Sequence, residues 1–156
     1  MNNKVSFLIG SESDRKIVEV SLEYFNYFGI DAKINVMSAH RNPSDVEEFS
    51  KSARTNGYAV IVCGAGMAAH LAGAVKANTT LPVIGVPLPG GMMDGLDSLL
   101  STVQMPKGVP VATMSLGKSG SINAAIMCAE ILSLNDLKIE NKLDIFKANG
   151  STLDGL

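Results

Sequence analysis

No tryptophan occurs in the 156 residues, histidine and cysteine occur twice each, and neither charge sign forms a run. Each shortage removes a class of function. Cys63 and Cys128 are too few for a disulfide framework. Each sits in an apolar stretch, where a free thiol behaves as a small hydrophobe, so a reducing, cytoplasmic setting is expected. Three Tyr and five Phe leave little to stack on a flavin. A formal net charge of -2 with no basic face gives no sign of nucleic acid or an anionic membrane as partner, and a small-molecule partner is expected. The opening apolar run, from Lys4 to Gly10, is too short for a membrane helix and lacks the cleavage pattern of a signal peptide. Metal-ligand spacing is also missing, because Cys63 and His70 have too few close partners to complete a tetrahedral site.

Charge is scarce as well, with 18% charged residues against 46% hydrophobic. Small apolar residues must therefore cover part of the surface, which predicts an oligomer. Length and even composition predict one domain over residues 1–156, with a more polar helix and tail from Leu134 to Leu156 placed to dock on a neighbouring subunit.

What is present is an alternation of short apolar runs and longer segments of helical period. Lys4 to Ile9, Ala32 to Val36, Tyr58 to Cys63, Pro82 to Val86 and Val109 to Met114 read as strands. Helices are predicted over Asp14 to Phe28, ending at Gly29, and over Ser44 to Thr55, opened by a capping box of Ser44 and Glu47. Three more cover Ala68 to Ala77, Leu96 to Val103 and Ser119 to Ser133. Strands apolar throughout, separated by helices, imply a three-layer, doubly wound α/β fold with a parallel sheet buried on both faces.

Ligands of such sheets bind outside the carboxyl ends of the strands. Three loops there are unusual. Gly10-Ser-Glu-Ser-Asp14 places Ser11 and Ser13 where a phosphate fits and Asp14 where ribose hydroxyls can donate, against the plainer reading that Ser13 or Asp14 only caps a helix. Ser38-Ala-His-Arg41 sets an imidazole that exchanges protons near neutral pH beside a guanidinium that can fork onto phosphate. Gly64-Ala-Gly-Met-Ala-Ala-His70 lets backbone approach a ligand, although the same glycines also serve tight helix packing and His70 is equally readable as a core histidine.

Two strings mislead. Gly64-x-Gly66-x-x-Ala69 matches a dinucleotide fingerprint but follows the third strand, and the acid expected roughly 20 residues later is replaced by the apolar run Leu81 to Pro87. Ala112-Thr-Met-Ser-Leu-Gly117-Lys118-Ser119 imitates a P-loop with alanine for its opening glycine and no strand-end aspartate for magnesium. A nucleophile elbow is absent.

The three loops, followed by Pro82-Val-Ile-Gly-Val-Pro87, Asp97-Ser-Leu-Leu-Ser-Thr-Val-Gln-Met-Pro106 and Gly108-Val-Pro-Val-Ala112, together closely resemble the class I 5-(carboxyamino)imidazole ribonucleotide mutase family, small bacterial enzymes of purine biosynthesis. The resemblance runs from about Lys4 to Ser133. It implies a flavodoxin-like sandwich, a homo-octamer, a ribonucleotide substrate, and neither metal nor organic cofactor. It assigns Ser11, Asp14 and Arg41 to ribonucleotide binding, Ser38, Ala39 and His40 to the loop beside the reacting imidazole, and the loop of Gly64, Ala65, Gly66, His70 and Leu71 to closure over the substrate. His40 matches the family's acid/base histidine.

Two positions depart from the pattern: Met67 stands where glycine is common, and Ala72 where proline usually follows His-Leu. Both are expected to alter loop stiffness. A sister class carboxylates aminoimidazole ribonucleotide directly with carbon dioxide and typically carries lysine after Ser-Ala-His, so Arg41 and Ala68-Ala-His70 favour the mutase. A flavodoxin-like binding module is the non-enzymatic alternative.

Overall fold

The aliphatic runs form strands in the computed structural model, which describes residues 3–156. They are β1 (Lys4–Ile9), β2 (Asp31–Val36), β3 (Tyr58–Ala65), β4 (Val83–Pro87) and β5 (Ala112–Thr113). Every pairing is parallel, in the order β2-β1-β3-β4-β5. This is the flavodoxin-like doubly wound order, with its reversal between β1 and β3.

Seven helices flank the sheet among the described residues: α1 (Arg15–Val18), α2 (Ser21–Phe28), α3 (Pro43–Ser52), α4 (Leu71–Lys76), α5 (Leu96–Val103), α6 (Gly117–Ser133) and α7 (Leu137–Ala148). Alternate strand residues face opposite layers. Val5, Phe7, Ile9, Val60, Val62, Ile84 and Val86 pack with buried residues of α1, α2, α6 and α7, while Leu8, Ile61, Cys63 and Val83 pack with α3 and α4. The two cysteines lie in different layers, and burial pushes both thiols up, so neither is poised to react.

Several predicted boundaries move, among them the helix expected over Ala68 to Ala77, which spans Leu71–Lys76, and at three places the reason is local. The helix expected over Asp14 to Phe28 opens with a 3-10 turn, Glu12–Asp14, and is interrupted at Glu19 and Val20, where the buried Ser21 hydroxyl donates to the Val18 carbonyl at 2.6 Å. It does stop at Gly29, whose φ of 76° and the Ile30 N–H bond to the Phe25 carbonyl make a Schellman end. The Ser44 and Glu47 capping box does not form: α3 begins at Pro43, whose missing N–H costs nothing in a first turn, and Glu47 pairs instead with Lys51. The fifth strand shrinks to Ala112–Thr113 because Pro110 has no N–H for the ladder. In the last segment, α7 buries Ile139, Leu143 and Phe146 against its own chain and leaves Leu137 and Ile145 exposed. Phe146 is buried against Tyr24, Tyr27 and Phe28, with centroids 5.6 to 6.4 Å apart, and the Tyr27 hydroxyl donates to the Lys142 carbonyl.

One close approach fixes α5 on the sheet. A Cβ on Gly85 of β4 would lie 2.5 Å from Thr102 Cγ2 and 2.9 Å from Val111 Cγ1. Ser98, fully buried, donates its hydroxyl toward the Leu88 carbonyl at 2.8 Å. Gly85→Ala should therefore lower stability by about 1–3 kcal/mol, as overpacking does, and Thr102→Ser in the same chain should recover part of it. Denaturant unfolding of the two variants checks this; an unaltered midpoint in Gly85→Ala would show that α5 is not held so tightly.

Candidate active site

Ile9, at the end of β1, is level with Val36 of β2 and Gly64 of β3. The loops leaving these three strands are consequently neighbours, and they enclose a cleft of about 530 Å³. Ser11, Ser13, Asp14, Ser38, Ala39, His40, Arg41, Ala65, Gly66, His70 and Leu71 all line it. Gly64 does not. It is inside β3, where a Cβ would lie 3.3 Å from the Phe7 ring and 3.4 Å from Val18, so its lack of a side chain serves packing behind the cleft.

In the first loop, the Ser13 hydroxyl lies 2.9 Å from that of Ser11, and the Ser11 oxygen caps the 3-10 turn by accepting from the Ser13 N–H. Asp14 precedes α1 without capping it through its side chain. Burial pushes its pKa above the usual carboxylate value, against a smaller downward pull from the Ser11 backbone N–H.

The second loop is held by a residue that the sequence reading passed over. Asn42 accepts from the Ser38 N–H at 2.8 Å through Oδ1 and donates to Asp45 at 2.7 Å through Nδ2. Its N–H also bonds the Ser38 carbonyl, and the Arg41 N–H reaches the Ser38 hydroxyl at 3.2 Å. The available signal was an Asx residue directly before proline and four residues after Ser38, a pattern that folds side chain back onto backbone. The Arg41 guanidinium joins no ion pair among the described residues, leaving its fork for an anion.

The third loop delivers the second histidine. His40 Nε2 and His70 Nδ1 are 2.7 Å apart, with the rings nearly perpendicular at 78°. Both residues are exposed, so His70 is a cleft residue rather than a core one. A contact this short needs one nitrogen to donate and the other to accept, so the two rings cannot both be protonated at these atoms. Met67 has a φ of 54°, the left-handed region that glycine occupies freely, so a glycine at this position would adopt the same turn without strain. Ala72 falls in the first turn of α4, where proline is tolerated.

A fourth loop, Pro89 to Gly91, also lines the cleft and was missed. Its signal was the Pro-Gly-Gly string after a strand. Asp97 of α5 holds this loop by accepting from the Met92 N–H at 3.0 Å, beside Gly91, whose φ of 71° and 2.5 Å gap to Asp97 leave no room for a side chain. No Phe or Tyr lines the cleft among the described residues, and Tyr24, Phe28 and Phe146 cluster in the α2 and α7 layer.

The raised pKa of Asp14 has a sign for stability. Folding favours its neutral form, so its contribution is fully present below the ordinary carboxylate pKa and is lost as pH rises through the raised one. Asp14→Asn should raise the unfolding temperature of the ligand-free protein at neutral pH, with the difference vanishing below about pH 3. Thermal melts across pH check this; a destabilised Asp14→Asn at neutral pH would contradict it.

The sequence profile described as AIR carboxylase matches residues 4–152. N5-carboxyaminoimidazole ribonucleotide mutase of Bacillus subtilis is 45% identical over 149 residues, covering 96% of this chain and 92% of that protein. The Escherichia coli K12 protein of the same name is 43% identical over 141 residues, covering 90% and 83%. Among solved structures, Treponema denticola PurE superposes with a TM-score of 0.85 at 27% identity, over 95% of this chain and 91% of that one. Sequence, fold and the loops that close the cleft thus agree: the chain belongs to the AIR carboxylase family.

Proposed function

We propose that this chain is an N5-carboxyaminoimidazole ribonucleotide mutase, an isomerase of purine biosynthesis that moves a carboxylate from the exocyclic nitrogen of the imidazole to a ring carbon. The observation that carries the reading is the convergence, in one cleft, of His40 with the hydroxyl and guanidinium groups of Ser11, Ser13 and Arg41. Relatives bearing this name at 43% and 45% identity favour it over direct carboxylation of the unmodified ribonucleotide.

Ser11, Ser13 and Arg41 clamp the phosphate, and Asp14 accepts from the ribose. This remote binding energy fixes the base beside His40. The N–C bond of the carbamate breaks with its electron pair on nitrogen, which takes a proton from His40, and carbon dioxide is released into the cleft. The ring carbon attacks it, and His40 then takes the proton displaced from that carbon. His70, 2.7 Å from His40, shares the proton between the two steps. Ser38 and Ala39 line the side nearest the base, and Ala65, Gly66 and Leu71 enclose it. Holding carbon dioxide beside the nucleophile keeps its recapture unimolecular.

The same reading places the protein in the cytoplasm as a homo-octamer. Leu99, Leu100 and Val103 are exposed along one face of α5, with Met92, Met93 and Leu116 exposed nearby in sequence or structure, and burial against further copies explains apolar groups in these places. No helix among the described residues is long and apolar enough to cross a membrane.

His40→Asn should lower turnover by about a thousandfold or more while changing ribonucleotide affinity less than about threefold, measured by single-turnover kinetics and calorimetry. Retained turnover would remove His40 from the chemistry. Arg41→Ala should do the reverse, raising KM more than it lowers kcat.

A further inference from the structure

The contact between His40 and His70 depends on where the third loop sits, and one side chain outside that loop bonds its backbone. Ser101 projects from α5. Its Oγ accepts from the Ala69 N–H at 2.9 Å. The same oxygen lies 2.7 Å from the Asp97 carbonyl and 3.3 Å from the carbonyls of Met67 and Ser98. A hydroxyl has one proton and two acceptor lone pairs. The shortest contact places the proton on Asp97, one helical turn back, which leaves a lone pair aimed at Ala69.

Ala69 is buried, and its N–H is one residue ahead of His70. The His70 N–H bonds the Ala68 carbonyl and the His70 carbonyl receives the Ala74 N–H, both at 2.9 Å. The backbone of His70 is thus held on its far side by α4 and on its near side by Ser101. Between them the chain turns through Met67 in a left-handed conformation that it keeps only under constraint. The helix carrying Ser101 is itself seated on the sheet by Ser98 and by Thr102 against Gly85.

We propose that Ser101 is a positioning residue for the histidine pair: through the Ala69 N–H it sets the loop height that brings His70 Nδ1 within hydrogen-bond distance of His40 Nε2. It touches neither histidine. The proposal rests on the mutase reading for its kinetic consequence, but its structural content holds in the substrate-free protein.

Ser101→Ala tests it, since alanine is a better helix former than serine and leaves α5 intact. Without the hydroxyl, the Ala69 N–H has no protein acceptor and the loop shifts toward water. The expected result is a fall in kcat of about tenfold or more, with KM within about threefold of wild type, because a displacement of about 1 Å in a proton-transfer group weighs on the chemical step. Ser101→Thr, which keeps the hydroxyl, should recover most of kcat. In the substrate-free protein, the ring ¹⁵N shifts of His40 and His70 should change together in Ser101→Ala and return in Ser101→Thr. A purely structural role would lower the melting temperature without moving those shifts. Wild-type kcat and ring shifts in Ser101→Ala, or a Ser101→Thr as impaired as Ser101→Ala, would overturn the assignment. If the wild-type chain does not turn over the N-carboxylated ribonucleotide, the mutase reading fails, and the ring shifts still decide the role of Ser101.

Discussion

The parallel register that sets Ile9 level with Val36 and Gly64 is the constraint on which the rest depends. It makes neighbours of three loops separated by some 25 to 30 residues of chain, so a serine-rich turn, an imidazole and a second imidazole open onto one cleft. A one-residue slip of β2 or β3 would turn every side chain of that strand to the other layer and separate His40 from His70. The buried aliphatic residues of β1 and β3 hold that register from both faces, since each alternate residue already belongs to a different packed layer.

Helix α5 is the second organiser. Its inner face is polar where helices are usually apolar, with Asp97, Ser98 and Ser101 spent on the backbone of the Pro89 to Gly91 loop, the end of β4 and the Met67 to His70 loop. Its outer face carries exposed Leu99, Leu100 and Val103. One short helix therefore joins an exposed apolar face to two of the four loops that line the cleft. Net stabilisation from each of these hydrogen bonds is about 1 kcal/mol. Their use lies in geometry, since each ties an irregular loop to a rigid element.

Much of this was legible in the sequence. Unbroken aliphatic runs gave β1, β3 and β4, and Gly29 marked the end of α2, because strand burial and left-handed caps depend on local residue type. Ser11, Ser13, Asp14, Ser38, His40 and Arg41 were found by their chemistry at strand ends, and they do line one cleft. What was not legible depended on contacts distant in sequence. Asn42 and Ser101 act by bonding backbone N–H groups, which leaves no compositional trace beyond an Asx before proline and a serine in a helix. Gly64 was read as a ligand contact because a glycine in a loop-like string carries no label saying whether its space is filled by substrate or, as here, by Phe7 and Val18. The Ser44 and Glu47 capping box failed because Pro43 starts α3 one residue earlier, and Lys51 offered Glu47 a better partner.

On the proposed mutase mechanism, the cleft holds carbon dioxide between its release from nitrogen and its capture by carbon. The direct measurement is conversion of the N-carboxylated ribonucleotide, labelled with ¹³C in its carboxylate, by the purified protein in unlabelled bicarbonate. Retention of the label in the C-carboxylated product, at a rate independent of bicarbonate, is the predicted result. Loss of the label to solvent, or product formed only from aminoimidazole ribonucleotide with added bicarbonate, would contradict it.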